Sequence, residues 1–180
     1  MKNVKTINLV VLKSLIKKKG PHAESILVKN ISSSSREIYE NLSGLTKVSS
    51  LVEEDIFNAA ADILCPGEPD KFVAIGRILA KENMSTILKI FLLIPSAKMV
   101  IKSAAILWKT FYEEGNAGTT DEGEKTVTLV AKNCPNLVKY QMESTAGYVE
   151  VILKMTGAKN VTVTFVGTDP NAWKWIAKWD

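Results

Sequence analysis

The sequence predicts an α+β fold. About seven helices over residues 1–113 pack on a ββαββ part over residues 114–180, whose four strands form one antiparallel sheet. Three observations predict it. Apolar residues at three- and four-residue spacing recur through the first 113 residues. The runs Thr126–Ala131, Val161–Phe165 and Trp173–Trp179 instead alternate apolar with polar side chains, the period of a strand with one buried face. Between these runs Met142, Ala146, Val149, Ile152 and Leu153 share one face of a helix, which Gly157 closes.

Taken in order, a first helix spans roughly Ile7 to Lys19, apolar through Val10, Val11, Leu12, Leu15 and Ile16. Its last-turn lysines suit the negative end of the helix dipole, and Gly20-Pro21 stops it. A short helix follows near His22 to Lys29. The serine run Ser32 to Ser35 reads as a loop, and the capping box Ser34-Ser35-Arg36-Glu37 opens a helix closed by Gly44. A second box, Ser50-Leu51-Val52-Glu53, opens a helix to about Leu64. The acids Glu53, Glu54 and Asp55 crowd its first turn as capping chemistry. Three more helices are expected: Pro69–Ala80, Met84 to about Ile94 (the most apolar, and so an inner one), and one from the cap Ser96 to about Tyr112. The polar tract Glu113–Lys125 and the strand after it predict a hairpin turning near Asp121 to Glu124. Cys134 to Tyr140 reads as a loop. A second hairpin turns through Gly167, Asp169 and Pro170, and its last strand sets Trp173, Trp175 and Trp179 on one face.

With 180 residues, no internal repeat and no long linker, one domain is expected. The longest apolar stretches fall short of a membrane span, and KSLIKKKG interrupts the six-residue run INLVVL, so neither a transmembrane helix nor a cleaved leader is expected. Cys65 and Cys134 match no metal spacing and read as reduced, buried thiols of a cytoplasmic protein. Net charge is +4, unevenly spread: residues 1–20 hold six lysines and no acid, whereas residues 21–63 hold seven acids against three bases. Only two arginines occur, Arg36 and Arg77, which argues against specific nucleic-acid recognition. The basic first helix has two readings: a packed helix with a solvated end, which is preferred, or a surface docking on a membrane or partner.

Nucleophile elbows, phosphate loops and dinucleotide fingerprints are absent, so no enzyme is expected. His22, the one histidine, has no acid or serine at a recognised spacing. Asp121, Glu122 and Glu124 read as a solvated turn, and Glu143 and Glu150 as surface. Arg77 stands on an apolar helix beside Gly76. It is expected either to bond an acid or helix carbonyls, or to anchor a ligand carboxylate or phosphate. The tryptophan face is expected in the core. If the last strand is an edge, Trp173, Trp175 and Trp179 become a partner surface.

This element order resembles the fold shared by the haem-nitric-oxide-binding (H-NOX) domains, the vinyl-reductase-type ligand domains and the TRAPP trafficking subunits. Within that group the chain is most similar to an uncharacterised paralogous family abundant in myxobacteria and other delta-proteobacteria. The residues carrying the resemblance are the Lys71–Ala80 helix with Ile75-Gly76-Arg77, Trp108 before Gly115, Ala146-Gly147, Thr156-Gly157-Ala158 and the final hairpin. The resemblance implies a regulatory or signalling module with an apolar ligand cavity between helices and sheet, to which Arg77, Trp108, Phe111, Tyr112 and Tyr148 contribute. A structural homodimer like the trafficking subunits is the alternative. It does not imply haem: the haem-binding relatives use an axial histidine on a central helix and a Tyr-x-Ser-x-Arg set, and Tyr140-Gln-Met-Glu-Ser144 departs from that set. No cofactor is expected.

Overall fold

The computed structural model describes residues 3–43, 47–84, 97–103, 106, 108–109, 112, 115–134, 138–167, 169 and 171–180. Contacts divide the chain into two compact units, Met1–Lys71 and Phe72–Asp180. The division falls well before residue 113, because the helix that follows Lys71 is packed with the sheet-bearing part.

In Met1–Lys71, helices α1 (Ile7–Lys18), α2 (Pro21–Asn30) and α3 (Ser33–Glu40) pack on α4 (Ser50–Leu64). α1 contributes Leu9, Leu12 and Ile16, and α4 contributes Ile56, Phe57, Ala60 and Ala61. Gly20, with φ of +103°, makes the turn that lets Pro21 open α2. Both helix caps lie earlier than the sequence suggested. Ser32 caps α3 by accepting from the Ser35 amide at 3.2 Å, so the serine run starts the helix instead of preceding it. Ser49 caps α4 by accepting from Val52 at 3.3 Å. Among the three acids, Asp55 accepts the Ser32 amide at 2.8 Å, so it secures the start of α3 and not its own helix. A short antiparallel ladder that periodicity did not reveal pairs β1 (Asn3–Lys5) with β2 (Lys47–Ser49).

Phe72–Asp180 is an antiparallel sheet with helices against it. Its strands are β3 (Asn116–Glu122), β4 (Thr126–Lys132), β5 (Thr162–Val166) and β6 (Ala172–Lys178), in the order β3-β4-β6-β5. The strands are thus two hairpins, and α7 (Lys139–Met155) makes the crossover between them. α7 starts at Lys139, inside the expected loop. β3 reaches Glu122, with a bulge between Thr119 and Asp121, and the Gly123 amide closes its turn on the Thr126 carbonyl at 2.9 Å. The expected α+β architecture with a four-stranded antiparallel sheet is therefore present. Among the described residues six helices precede that sheet: α1–α4, α5 (Lys71–Met84) and α6 (Ala97–Lys102). The expected inner helix at 84–94 falls on 85–96, outside the described residues. No described helix is long and apolar enough to cross a membrane.

Two glycines set how α5 meets α7. A Cβ on Gly76 would collide with the Ser144 carbonyl, and one on Gly147 with the Val73 carbonyl. Each helix therefore offers a bare backbone where the other crosses. Gly118, an exposed strand position, has open space around its missing Cβ. Gly147→Ala is expected to lower unfolding free energy by about 1–3 kcal/mol in urea titration through overpacking. Gly118→Ala serves as the control, expected to stay within about 0.5 kcal/mol.

Candidate functional site

The helix-facing side of the sheet in Phe72–Asp180 is built from aromatic rings. β6 is an inner strand, so alternation along it places Trp173, Trp175 and Ala177 toward the helices. Trp175 is 0% exposed; its Nε1 donates to the Met142 carbonyl of α7 at 2.8 Å. The Trp173 Nε1 donates to the Cys134 carbonyl at 3.2 Å. Ring centroids run in sequence across the face: Tyr112 to Trp108 at 4.2 Å, Trp108 to Trp175 at 6.2 Å, Trp175 to Phe165 at 5.8 Å, and Phe165 to Trp173 at 5.8 Å. Leu129, Ala131, Met142 and Ala146 fill between them. Trp179 packs with a neighbouring cluster of Ala97, Val127, Leu153, Val161 and Ala177. The last strand is thus no edge, and Trp175 is enclosed. Trp173 and Trp179 are half-buried and committed to the same interior. The edge strand on which a partner surface there was conditional is not formed: β5, not β6, takes the outer position.

Of the five residues expected at a ligand cavity, the structure gathers three. Trp108 is buried and stacked on Tyr112, whose hydroxyl lies 3.4 Å from Thr145 Oγ1. Thr145 donates to the Gln141 carbonyl at 2.8 Å, which leaves its oxygen to accept from Tyr112. Tyr148, one turn further along α7, carries a phenol whose pKa burial pushes well above the usual tyrosine range. The Asn83 side chain opposes that rise by hydrogen bonding, and Tyr112 lies close enough to add to it. Phe111 lies outside the described residues. Asn83, Gln141 and Thr145 were not singled out from the sequence; Asn83 and Gln141 are buried amides, and nothing in their spacing marks them.

Arg77 stands apart from this cluster. Its Nη2 lies 2.8 Å and its Nε 2.9 Å from Glu150 Oε2, and Lys154 bonds the other carboxylate oxygen. Burial works to raise the Glu150 carboxyl, but hydrogen bonds from Lys154 and Arg77, with their charges, outweigh it and hold the group below the ordinary glutamate range. The acid-bonded reading of Arg77 is the one the geometry supports, and Glu150 is no idle surface acid. The Arg77 side chain remains 42% exposed.

Among the described residues, no three His, Cys, Asp or Glu side chains come together as a cation site. His22 is exposed on α2. Cys65 is buried, its thiol pushed up by burial and then by Glu68. Cys134 is buried and donates to the Lys132 carbonyl at 3.2 Å. Tyr140 packs on Phe72 at 6.1 Å, and the Ser144 hydroxyl donates to the Gln141 carbonyl at 3.0 Å.

No protein-family model matches the sequence, and no curated protein does. Solved structures share the fold. The Fe(II) unliganded H-NOX protein from K. algicida superposes with a TM-score of 0.68 at 10% identity, covering 98% of this chain and 96% of its own. A point mutant of the T. tengcongensis H-NOX gives 0.69 at 11% identity, covering 98% and 97%. An oxygen-binding H-NOX domain related to soluble guanylate cyclases, in its oxygen complex, gives 0.65 at 11%, covering 96% and 91%. The chain therefore has an H-NOX-like fold. The donors present do not fit a haem group: the sole histidine is exposed on α2, and the buried Cys134 and Tyr140 are engaged in local packing and bonding. At Tyr140-Gln-Met-Glu-Ser144 a methionine and a serine stand where the Tyr-x-Ser-x-Arg set has serine and arginine.

The Glu150 contacts predict an acid dependence. A carboxyl held low in the folded state adds stability that is present at neutral pH and lost as pH falls through its folded-state value. Glu150→Gln is expected to lower stability at pH 7 and to flatten the acid limb of a stability–pH profile measured by urea unfolding. A profile with an unaltered acid limb counts against the coupling.

Proposed function

We propose that this chain is a non-enzymatic regulatory or signalling module that binds a small apolar ligand at the helix–sheet interface of Phe72–Asp180, without haem. The observation that carries the proposal is the cluster of Trp108, Tyr112 and Tyr148. It offers a largely apolar lining with a few fixed polar groups, the Tyr148 phenol and the Asn83 amide among them. Small-molecule sites have this composition. The solved neighbours lend a sensing role, since one of them is an oxygen-binding domain related to soluble guanylate cyclases. The haem-free part rests on the poor match of the donor set. Membership of the myxobacterial paralogous family rests on the Ile75-Gly76-Arg77 and Ala146-Gly147 motifs, which the glycine crossing explains physically. A cytoplasmic setting agrees with two buried cysteines outside any disulfide.

A second reading, a structural homodimer, has one observation in its favour. β5 is an outer strand with the sequence Thr-Val-Thr-Phe-Val, free of charge and proline, and Thr162 and Thr164 are exposed. The opposite outer strand, β3, carries a bulge and two acids, features that discourage pairing.

Native mass spectrometry of protein expressed with added haem precursor separates these readings. A retained small organic molecule without haem is expected, with retention weakened about tenfold in Tyr148→Phe, the loss of one buried hydrogen bond. A dimer with no adduct supports the structural reading. Stoichiometric haem with a Soret band of axial ligation overturns the haem-free proposal.

A further inference from the structure

We propose that the outer face of α1 is a docking groove for an acidic peptide segment of a partner protein. While Leu9, Leu12 and Ile16 turn into the core, Val10, Lys13, Ser14, Lys17 and Lys18 line a groove of about 510 Å³. These positions recur at three- and four-residue spacing, so the groove follows the helix for two turns.

Its positive charge is held in place. The Lys13 ammonium donates to the carbonyls of Tyr39 (2.6 Å) and Glu40 (2.8 Å) at the end of α3, and it lies 5.1 Å from the Tyr39 ring centroid. Burial and then the Lys17 charge push its pKa down, and Glu24 and Glu40 do not restore it. Lys17 meets Glu24 only at 3.9 Å and stays 56% exposed. No acid occurs in the first 20 residues. Carboxylates brought along the groove complement this charge, and Val10 supplies an apolar floor.

The chemistry favours a peptide over other anions. The groove has no arginine, so it lacks the fork that grips phosphate in two places. A membrane-surface helix inserts large apolar side chains, but the exposed ones here, Ile26, Leu51, Met99, Ile106 and Met155, all lie off α1. A shallow, open, lysine-lined groove suits point charges on an extended chain.

Fluorescence anisotropy of labelled decaglutamate with the full chain tests this. Binding is expected at low salt and should weaken as salt rises. Lys17→Glu with Lys18→Glu should weaken it by about tenfold or more, while Lys174→Glu with Lys178→Glu, the same change in net charge on exposed β6 positions, should alter it by less than about twofold. Alanine at Lys17 and Lys18 provides a milder pair should charge reversal impair folding. Absence of wild-type binding, equal losses in groove and control variants, or Lys17- and Lys18-dependent binding of polyphosphate or phosphatidylglycerol vesicles tighter than that of the peptide would overturn the proposal.

Discussion

The hydrogen bond from the Trp175 indole to the Met142 carbonyl ties α7 to an inner strand of the sheet, and the rest of Phe72–Asp180 follows from it. A fully buried indole must satisfy its N–H, and the partner here is a backbone carbonyl in the first turns of the crossover helix. That fixes where α7 rides over β6. With α7 fixed, Gly147 and Gly76 let α5 cross it in backbone contact, and the crossing brings Arg77 onto Glu150, which Lys154 already meets from one turn further along α7. Sheet, crossover helix and second helix are thus registered in turn by one polar bond, one bare contact and one ion-pair group.

The same packing shapes the functional reading. The fold is shared with solved H-NOX domains at 10–11% identity, so the architecture is common while almost every side chain differs. In this chain rings occupy the helix-facing side of the sheet, and among the described residues His22 is exposed, Cys134 is bonded to the Lys132 carbonyl and Tyr140 packs on Phe72. The ligand proposed for this chain would meet the Tyr112, Tyr148 and Asn83 group beside Trp108. It combines polar anchors with an aromatic wall.

Much of this was legible in the sequence where a period is long or a residue has one physical use. Alternation from Trp173 onward located β6 and its buried face. Gly157, at φ of +89°, was legible as a helix terminator and Gly76 as a close approach, whereas the close approach at Gly147 was not. Other features are set by partners far along the chain. β1 and β2 have three residues each, too few for a periodic signal, and exist through each other. The serine run offers several caps of similar strength, and Asp55, more than twenty residues on, selects Ser32. Position within the sheet was illegible for the same reason: strand order depends on the crossover by α7, so the sequence left open whether the last strand is an edge, and it is interior. For Arg77 the sequence left acid and ligand open; Glu150, on a different helix, decides.

Hydrogen exchange of the Trp175 indole N–H, followed by NMR against the half-buried indole of Trp179, probes this packing most directly. The enclosure of Trp175 between α7 and β6 predicts that its indole proton exchanges only through global unfolding, with a protection free energy equal to that from urea titration. Exchange as fast as that of Trp179 would contradict it.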